Sequence, residues 1–467
     1  MVRQRSWCNE GSMKDGTRIA ASVRREVSDW RLWMTRAVVI TVAAVAGLTV
    51  VGFTWLTELA IQTFFSIQAR WWWSPLVITP VCTGAIVWIT RRWFPGAAGS
   101  GIPQVMAGLD ASIDATQRGL FVSMKLTLAK IVLTSWGLLA GLSLGREGPC
   151  VQIAAGIMHA AKRWLPKRSA VTEHGLLVAG GAAGIAAAFN TPLAGVMFAI
   201  EELSRTPEQR SSGLIISAIV LAGLVAVSTY GNATYFGVIH VPAIDLTLLG
   251  PGLLTAFFCG AAGGLFARLL IVSLSGRSRD AFSRWRATRP VMFAAACGLA
   301  VAVIGLATHG ATFGSGYGYT KAMLEGSGDT PLVYVLFKVI ATWLSTWSGV
   351  PAGLFAPSLT IGAALGSDIA TITHYPHAAT LIALGMAGFL AAVTQAPLTA
   401  FIIVMEMVDG HAMVLSLMAC SLIASAVSRL FSQPLYSSLA EMQLQRIPRE
   451  TVEADPPRSE VAQPSPP

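Results

Sequence analysis

Apolar residues in this chain come in long uncharged blocks. Ala37–Thr57 carries no charge, and neither do Gly213–Ile239, Val291–Ala307, Ala378–Met405 and Ala412–Ser428. A helix needs about 20 apolar residues to cross the hydrocarbon of a bilayer, so each block predicts a spanning segment. Two further stretches, Gly175–Ile200 and Val339–Ser367, are uncharged or nearly so and are interrupted by glycine and proline, which predicts broken helices. The pattern divides the chain into a basic N-terminal segment (1–36, helical around Arg18–Arg36), a membrane body (37–436) and a polar tail (437–467). The Pro-rich end of that tail, Asp455–Pro467, reads as disordered. The tail is too short to build a soluble regulatory domain.

Composition agrees with the blocks. Hydrophobic residues make up 54% of the 467 positions and charged residues 12%, about half the ~25% of soluble chains. The net charge of +9 would suit nucleic acid, but the basic residues sit at block ends: Arg24, Arg25, Arg31 and Arg36 before the first, Arg91 and Arg92 after the second, Arg277–Arg289 in a mid-chain loop. That is the positive-inside pattern, and nucleic acid is not expected as a partner. The expected location is the cell (inner) membrane, multi-pass, with both termini cytoplasmic and no cleavable signal peptide. Cys8, Cys82, Cys150, Cys259, Cys297 and Cys420 are scattered without metal or disulfide spacing and read as small buried hydrophobes. The histidines offer no metal spacing beyond His374-x-x-His377, so neither a metal nor a cofactor is expected, and no catalytic constellation marks an enzyme.

The body repeats itself. Gly99-Ser100-Gly101 returns as Gly314-Ser315-Gly316. Gly145-Arg146-Glu147-Gly148-Pro149 returns as Gly353-Leu354-Phe355-Ala356-Pro357, and Lys130 and Lys338 each lie 17 positions before the centre of their motif. Thr191-Pro192-Leu193 through Glu201 returns as Ala396-Pro397-Leu398 through Glu406. Repeat halves of about 37–240 and 249–436 follow. Duplicated halves with matching Gly/Pro breaks are the signature of a transporter with a midplane site.

Each broken motif places glycine, then proline, then helical sequence: Gly101-Ile102-Pro103, Gly148-Pro149 and Ala356-Pro357. Proline at the first helical position suits a helix start. Free N–H groups and about half a unit of positive charge at each start would cradle an anion without a full counter-charge. Ser100 would add a hydroxyl donor. Glu147 stands at one of these starts. An intramembrane carboxylate costs several kcal/mol and points to function. Here it is expected to occupy the anion's place and leave on protonation, because an ion pair with the adjacent Arg146 is poorly oriented on a helix.

At these motifs the sequence resembles the CLC family of chloride channels and proton/chloride exchangers, of the prokaryotic type without CBS domains. The match rests on Gly99-Ser100-Gly101-Ile102-Pro103, Gly145-Arg146-Glu147-Gly148-Pro149 and Gly353-Leu354-Phe355-Ala356-Pro357, with Gln433-Pro434-Leu435-Tyr436 resembling the segment of the pore tyrosine. The resemblance implies an all-α polytopic membrane protein, an inverted (antiparallel) repeat of about eighteen broken transmembrane helices, and a homodimer with one pore per subunit. It implies chloride bound by the Ser100 and Tyr436 hydroxyls and the Leu354 and Phe355 N–H groups, with Glu147 as external gate and proton acceptor. Glu202 is the implied internal proton-transfer residue. Exchangers of the family usually carry glutamate there and channels an apolar residue, so the expectation is H+/Cl− antiport, with a passive voltage- or pH-gated channel of the same fold as the alternative. A membrane enzyme or scaffold of similar packing is the remote third. Ser100 favours chloride, since nitrate-preferring relatives carry proline there. Gln104, Met106 and Val350 depart from common family residues and are expected to affect rate or vestibule and not the ion. Lys130 and Lys338 are expected either to supply an attracting field or to pair with backbone carbonyls or a carboxylate, and Glu201 and Glu406 to be structural.

Overall fold

The computed structural model describes residues 29–446 apart from 167–168, 170, 205–211, 232–234, 237–245, 277, 279 and 327–332. The expected helix around Arg18–Arg36 is therefore described only from residue 29, and Cys8, Arg277 and the Pro-rich tail lie outside the described residues.

Among the described residues there are eighteen helices of seven residues or more and no strands. In the first half these are α1 (Trp30–Arg70), α2 (Pro75–Trp93), α3 (Ile102–Leu109), α4 (Met124–Leu139), α5 (Glu147–Ala160), α6 (Glu173–Phe189), α7 (Pro192–Phe198) and α8 (Ser212–Tyr230). The second half holds α9 (Leu249–Ser275), α10 (Ala281–Thr288), α11 (Pro290–Ala307), α12 (Tyr317–Leu324), α13 (Val333–Trp347), α14 (Phe355–Thr373), α15 (Ala378–Thr394), α16 (Pro397–Met407), α17 (Val414–Ser428) and α18 (Leu435–Leu444). Six described helices are long and apolar enough to cross a membrane. Shorter ones such as α6 and α15 are buried along almost their whole length, which suits segments surrounded by protein instead of lipid.

The block Ala378–Met405 predicts one span, but it is two helices. The break follows Gln395, whose left-handed backbone (φ +60°) ends α15 just before Ala396-Pro397. Asn190 (φ +59°) ends α6 before Thr191-Pro192 in the same way. The residue before a proline is pushed out of the helical region, so an apolar block need not be one helix.

The repeat is an inverted one, and its two halves hold each other reciprocally. Glu201, near the end of the first half's pair of broken helices, accepts hydrogen bonds from the N–H groups of Leu398 (3.0 Å) and Thr399 (2.6 Å) at the start of α16. Glu406, near the end of α16, accepts from Leu193 (3.3 Å) and Ala194 (2.9 Å) at the start of α7. Each carboxylate satisfies two orphan donors of the other half's helix and sits on the positive end of its dipole. Gly145 and Gly353 likewise donate to each other's carbonyls, at 2.8 and 2.9 Å. Such mutual pairing is what a local two-fold axis requires.

One end of the molecule is basic. There α2 ends at Arg91 and Arg92, α10 carries Arg286, and Arg446 follows α18; Arg91, Arg286 and Arg446 meet around one cavity. We refer to it below as the basic face.

The reciprocal caps make a specific expectation. Glu201→Ala and Glu406→Ala should each remove two charge-assisted hydrogen bonds, worth at most roughly 1.5–3 kcal/mol apiece because they are only partly buried. Detergent melting curves should show similar losses for the two variants. A double variant no worse than either single would show that the two caps act as one unit.

Candidate anion and proton site

The site is built where backbone leaves the helix. Gly99 (φ +74°) and Gly101 (φ +111°) take left-handed conformations that bring the chain into α3, and Gly314 (φ +64°) and Gly316 (φ +88°) do the same before α12. The N–H of Gly99 donates to the Val350 carbonyl (3.3 Å) and that of Ala352 to the Gly99 carbonyl (3.1 Å). Lys130 donates to the carbonyls of Ala97 (2.8 Å) and Gly99 (2.6 Å), and Lys338 to those of Thr312 (3.0 Å) and Gly314 (2.9 Å). The two lysines are thus backbone clasps, wholly buried, and not exposed sources of an attracting field. Gln104 accepts from the Gly101 N–H (2.9 Å) and donates to the Ala98 carbonyl. An ionised glutamate at 104 could accept but not donate, so this departure has a structural use.

The helices begin earlier than the proline rule alone predicts. Pro103 is the second residue of α3, and Pro149 and Pro357 are the third residues of α5 and α14. The physical reason is unchanged, because the first four N–H groups of a helix need no intrahelical acceptor. The consequence is that Glu147 and Phe355 are themselves the first residues of their helices.

Glu147 is fully buried. Its carboxylate turns back to face the N–H groups at the start of its own helix and of α14, and the Ala356 N–H donates to Oε2 at 3.4 Å. Two glycines make the room. A Cβ on Gly145 would lie 2.6 Å from that Oε2, and one on Gly148 would lie 2.3 Å from Ser100 Oγ. Arg146, the residue before, points elsewhere. It pairs with Glu58 (3.6 Å), donates to the Tyr235 hydroxyl (2.9 Å) and to the Thr54 carbonyl (3.4 Å), so it anchors the start of α5 to α1.

Ser100 Oγ, Tyr436 Oη and Glu147 Oε1 are all buried without a protein hydrogen bond in acceptable geometry. Buried polar atoms are rarely left so unless something else engages them. Ser100 and Tyr436 neighbour each other, and Tyr436 lies within electrostatic reach of both Glu147 and Glu202. Phe355 stacks on Tyr436, with ring centroids 5.9 Å apart and planes 13° from parallel, and Phe189 and Phe198 lie beyond it. Leu354, the N-cap of α14, is buried at this point. Ile102, Pro103, Pro357 and Gly353 complete the buried wall.

Two cavities lie beside the site. One, of about 380 Å³, runs from Arg286 and Arg446 past Gln104, Thr346 and Gln443 to Gly99, Ser100 and Leu354. The other, of about 250 Å³, holds Glu202 together with Asp110, His174, Glu441 and Met106. They share no lining residue. The wall between them is made of α3 and α18. Leu439, Met442, Gln443 and Arg446 face the first, and Ser437, Ala440, Glu441 and Leu444 face the second. Both sets follow helical i, i+3, i+4, i+7 spacing, so they are opposite stripes of one helix. Glu201 and Glu202 share a π-turn, Ala199–Leu203, which sends the first to the start of α16 and leaves the second at the cavity. Such turns favour functional positions.

Sequence reasoning passed over Asp110, His174, Glu441, Arg286 and Arg446. The two stripes of α18 were a readable signal, but a stripe names its partner only once the neighbouring helices are placed. Among the described residues no group of metal-ligating side chains is present, and the five described cysteines are free thiols.

Comparison with known proteins gives a consistent picture. A family model described as voltage gated chloride channel matches residues 82–429. The H(+)/Cl(-) exchange transporter ClcA of Cronobacter sakazakii is 31% identical, with 91% of this chain and 93% of that protein covered. Its counterpart in Citrobacter koseri is 29% identical over 91% and 92%. Among solved structures, a slow cyanobacterial Cl-/H+ antiporter aligns with a TM-score of 0.77 at 24% identity, covering 88% of this chain and 98% of that one. A CLC-type fluoride/proton antiporter aligns at 0.72 and 20%, covering 88% and 99%.

The clasps separate architecture from binding. Lys130→Met and Lys338→Met should lower the melting temperature comparably, since each removes two buried hydrogen bonds to backbone carbonyls. Only Lys130→Met should also weaken anion binding measured by calorimetry, by about tenfold (~1.4 kcal/mol), because its carbonyls flank Ser100. Equal loss of affinity in both variants would mean that the effect is global.

Proposed function

The chain belongs to the voltage gated chloride channel (CLC) family, and on that premise we propose that it is an H+/Cl− antiporter of a bacterial inner membrane. The observation that carries antiport over passive conduction is the pair of separate cavities on either side of α3 and α18. A channel needs one route. Here a second route ends on a buried carboxylate, Glu202, and is walled off from the first by α3 and α18.

In this reading the basic face is cytoplasmic, as the arginine bias favours, and both termini lie on that side. Chloride enters through the Arg286–Arg446 vestibule and is held by the Ser100 and Tyr436 hydroxyls and the first N–H groups of α14, at Leu354 and Phe355. Hydroxyl and helix-start donors bind without a full positive charge, so the ion also leaves. Gly99, Gly101, Ile102, Pro103, Gly145, Gly148, Pro149, Gly353, Ala356 and Pro357 shape the filter, while Arg146 fixes its outer edge. Glu147 is the external gate. Its ionised carboxylate takes the Ala356 N–H at the start of α14, next to the Leu354 and Phe355 donors that chloride would use, and protonation removes the charge that holds it there. Proton and anion thus compete for one place, which is the physical basis of exchange. Glu202 passes protons between its cavity and the Tyr436 region, in electrostatic reach of Glu147 through the site.

The transported ions are chloride and protons, and no cofactor or catalysis is required. The working unit is a homodimer with one pore per subunit. The exposed Leu193, Ile200, Leu224, Leu398, Leu415 and Leu422 of α7, α8, α16, α17 and the adjoining π-turn form an apolar face suited to a second copy.

Liposomes under an imposed chloride gradient test the reading, with proton movement recorded alongside. Uphill proton movement is expected; chloride flux without it would leave the channel reading. Glu202→Ala should keep chloride flux and lose most proton coupling. Glu147→Gln mimics the protonated gate and should give chloride flux that is uncoupled and nearly flat between acid and neutral pH. Proton pumping that survives Glu147→Gln would overturn the gate assignment.

A further inference from the structure

Arg91 lies in the last turn of α2, Arg286 on α10 and Arg446 just after α18. With Gly276, Ser283 and Ala287 they line a cavity of about 240 Å³ on the basic face. No carboxylate lines it, and none of the three arginines forms an ion pair among the described residues. Arg286 is half-buried and donates to the Ser273 carbonyl at 3.3 Å, which fixes it in place. Its burial, and then the positive charges of Arg446 and Arg91, push its pKa down to about 10, so it remains charged at neutral pH while repelled by its neighbours. A positive-inside bias accounts for arginines at a membrane interface. It does not account for three of them converging on one pocket with no offsetting carboxylate among the described residues.

We propose that this cavity binds a phosphate-class oxyanion, either free or as a lipid headgroup, and that occupancy regulates anion entry to the vestibule. Planar guanidinium forks match the oxygens of a phosphate group two at a time, which a monatomic ion cannot use. The volume suits a phosphate group. Arg286 and Arg446 also line the vestibule that leads to Ser100, so a bound dianion offsets the field of two cations at the anion's entrance. The binding stands on the cavity alone, whereas its effect on flux rests on the chloride reading above.

The test begins with the full chain in detergent, titrated with inorganic phosphate at constant ionic strength and constant chloride, and followed by calorimetry. Saturable binding is expected. Arg91→Gln and Arg286→Gln should each raise the half-saturating concentration by about tenfold. Arg286→Lys, which keeps the charge and loses the fork, should fall between Arg286→Gln and the unaltered chain. It also decides the matter should the glutamine variants fold poorly. No saturable binding, or binding unchanged in the variants, overturns the site. Chloride flux is then measured in phosphatidylcholine vesicles with and without phosphatidic acid, and separately with free phosphate on the side of the basic face. Inhibition by phosphatidic acid alone identifies a headgroup, and inhibition by phosphate alone a soluble ligand. Flux that responds to neither overturns the regulatory role while leaving chloride transport itself unaffected, so the two failures are distinguishable.

Discussion

Gly145 and Gly353 exchange two backbone hydrogen bonds inside the membrane body, and the starts of α5 and α14 hang on that pair. Non-helical backbone at this depth has no water to bond and survives only if protein satisfies it. Much of the surrounding polar chemistry answers that demand. Lys130 and Lys338 close over carbonyls, Gln104 closes the entry to α3, and Val350 and Ala352 pair with Gly99. With the backbone accounted for, Ser100 Oγ, Tyr436 Oη and Glu147 Oε1 are left facing the centre.

The two halves supply the same scaffold and differ where the chemistry is. The first residue of α5 is Glu147 and the first residue of α14 is Phe355. The carboxylate of one takes the helix start of the other, and the ring of the other stacks on Tyr436. Symmetry therefore builds a cradle from two helix starts, and its breaking places one titratable group there. The reciprocal Glu201 and Glu406 caps show the opposite case, in which both halves keep the carboxylate because both helices need a cap.

A good part of this was legible in the chain. Uncharged blocks announced a membrane body, and the 17-residue spacing from lysine to motif announced the repeat. Glycine followed by proline marked helix starts, because those residues constrain backbone geometry wherever they occur. The same rule failed in detail at Pro149 and Pro357, where the helix begins two residues before the proline, and it was overlooked at Gln395, inside what reads as one apolar span. Local rules state where a helix is permitted to begin or end. Which of the permitted boundaries is used depends on what caps the end, and at α16 that cap is Glu201, nearly two hundred positions away.

The sequence by itself determined the solvent, the duplication and the residues able to hold an anion, since each follows from composition or from backbone preferences that act over a few positions. Only the tertiary structure decided that Lys130 clasps backbone, that Arg146 turns to Glu58 instead of Glu147, and that α18 divides two cavities with its opposite stripes. The physical reason is the same in each case. A charged or polar side chain in a low-dielectric interior takes its role from the partner it reaches, and these partners lie from 31 to 92 positions away along the chain or across a wall that exists only once α3 and α18 have packed.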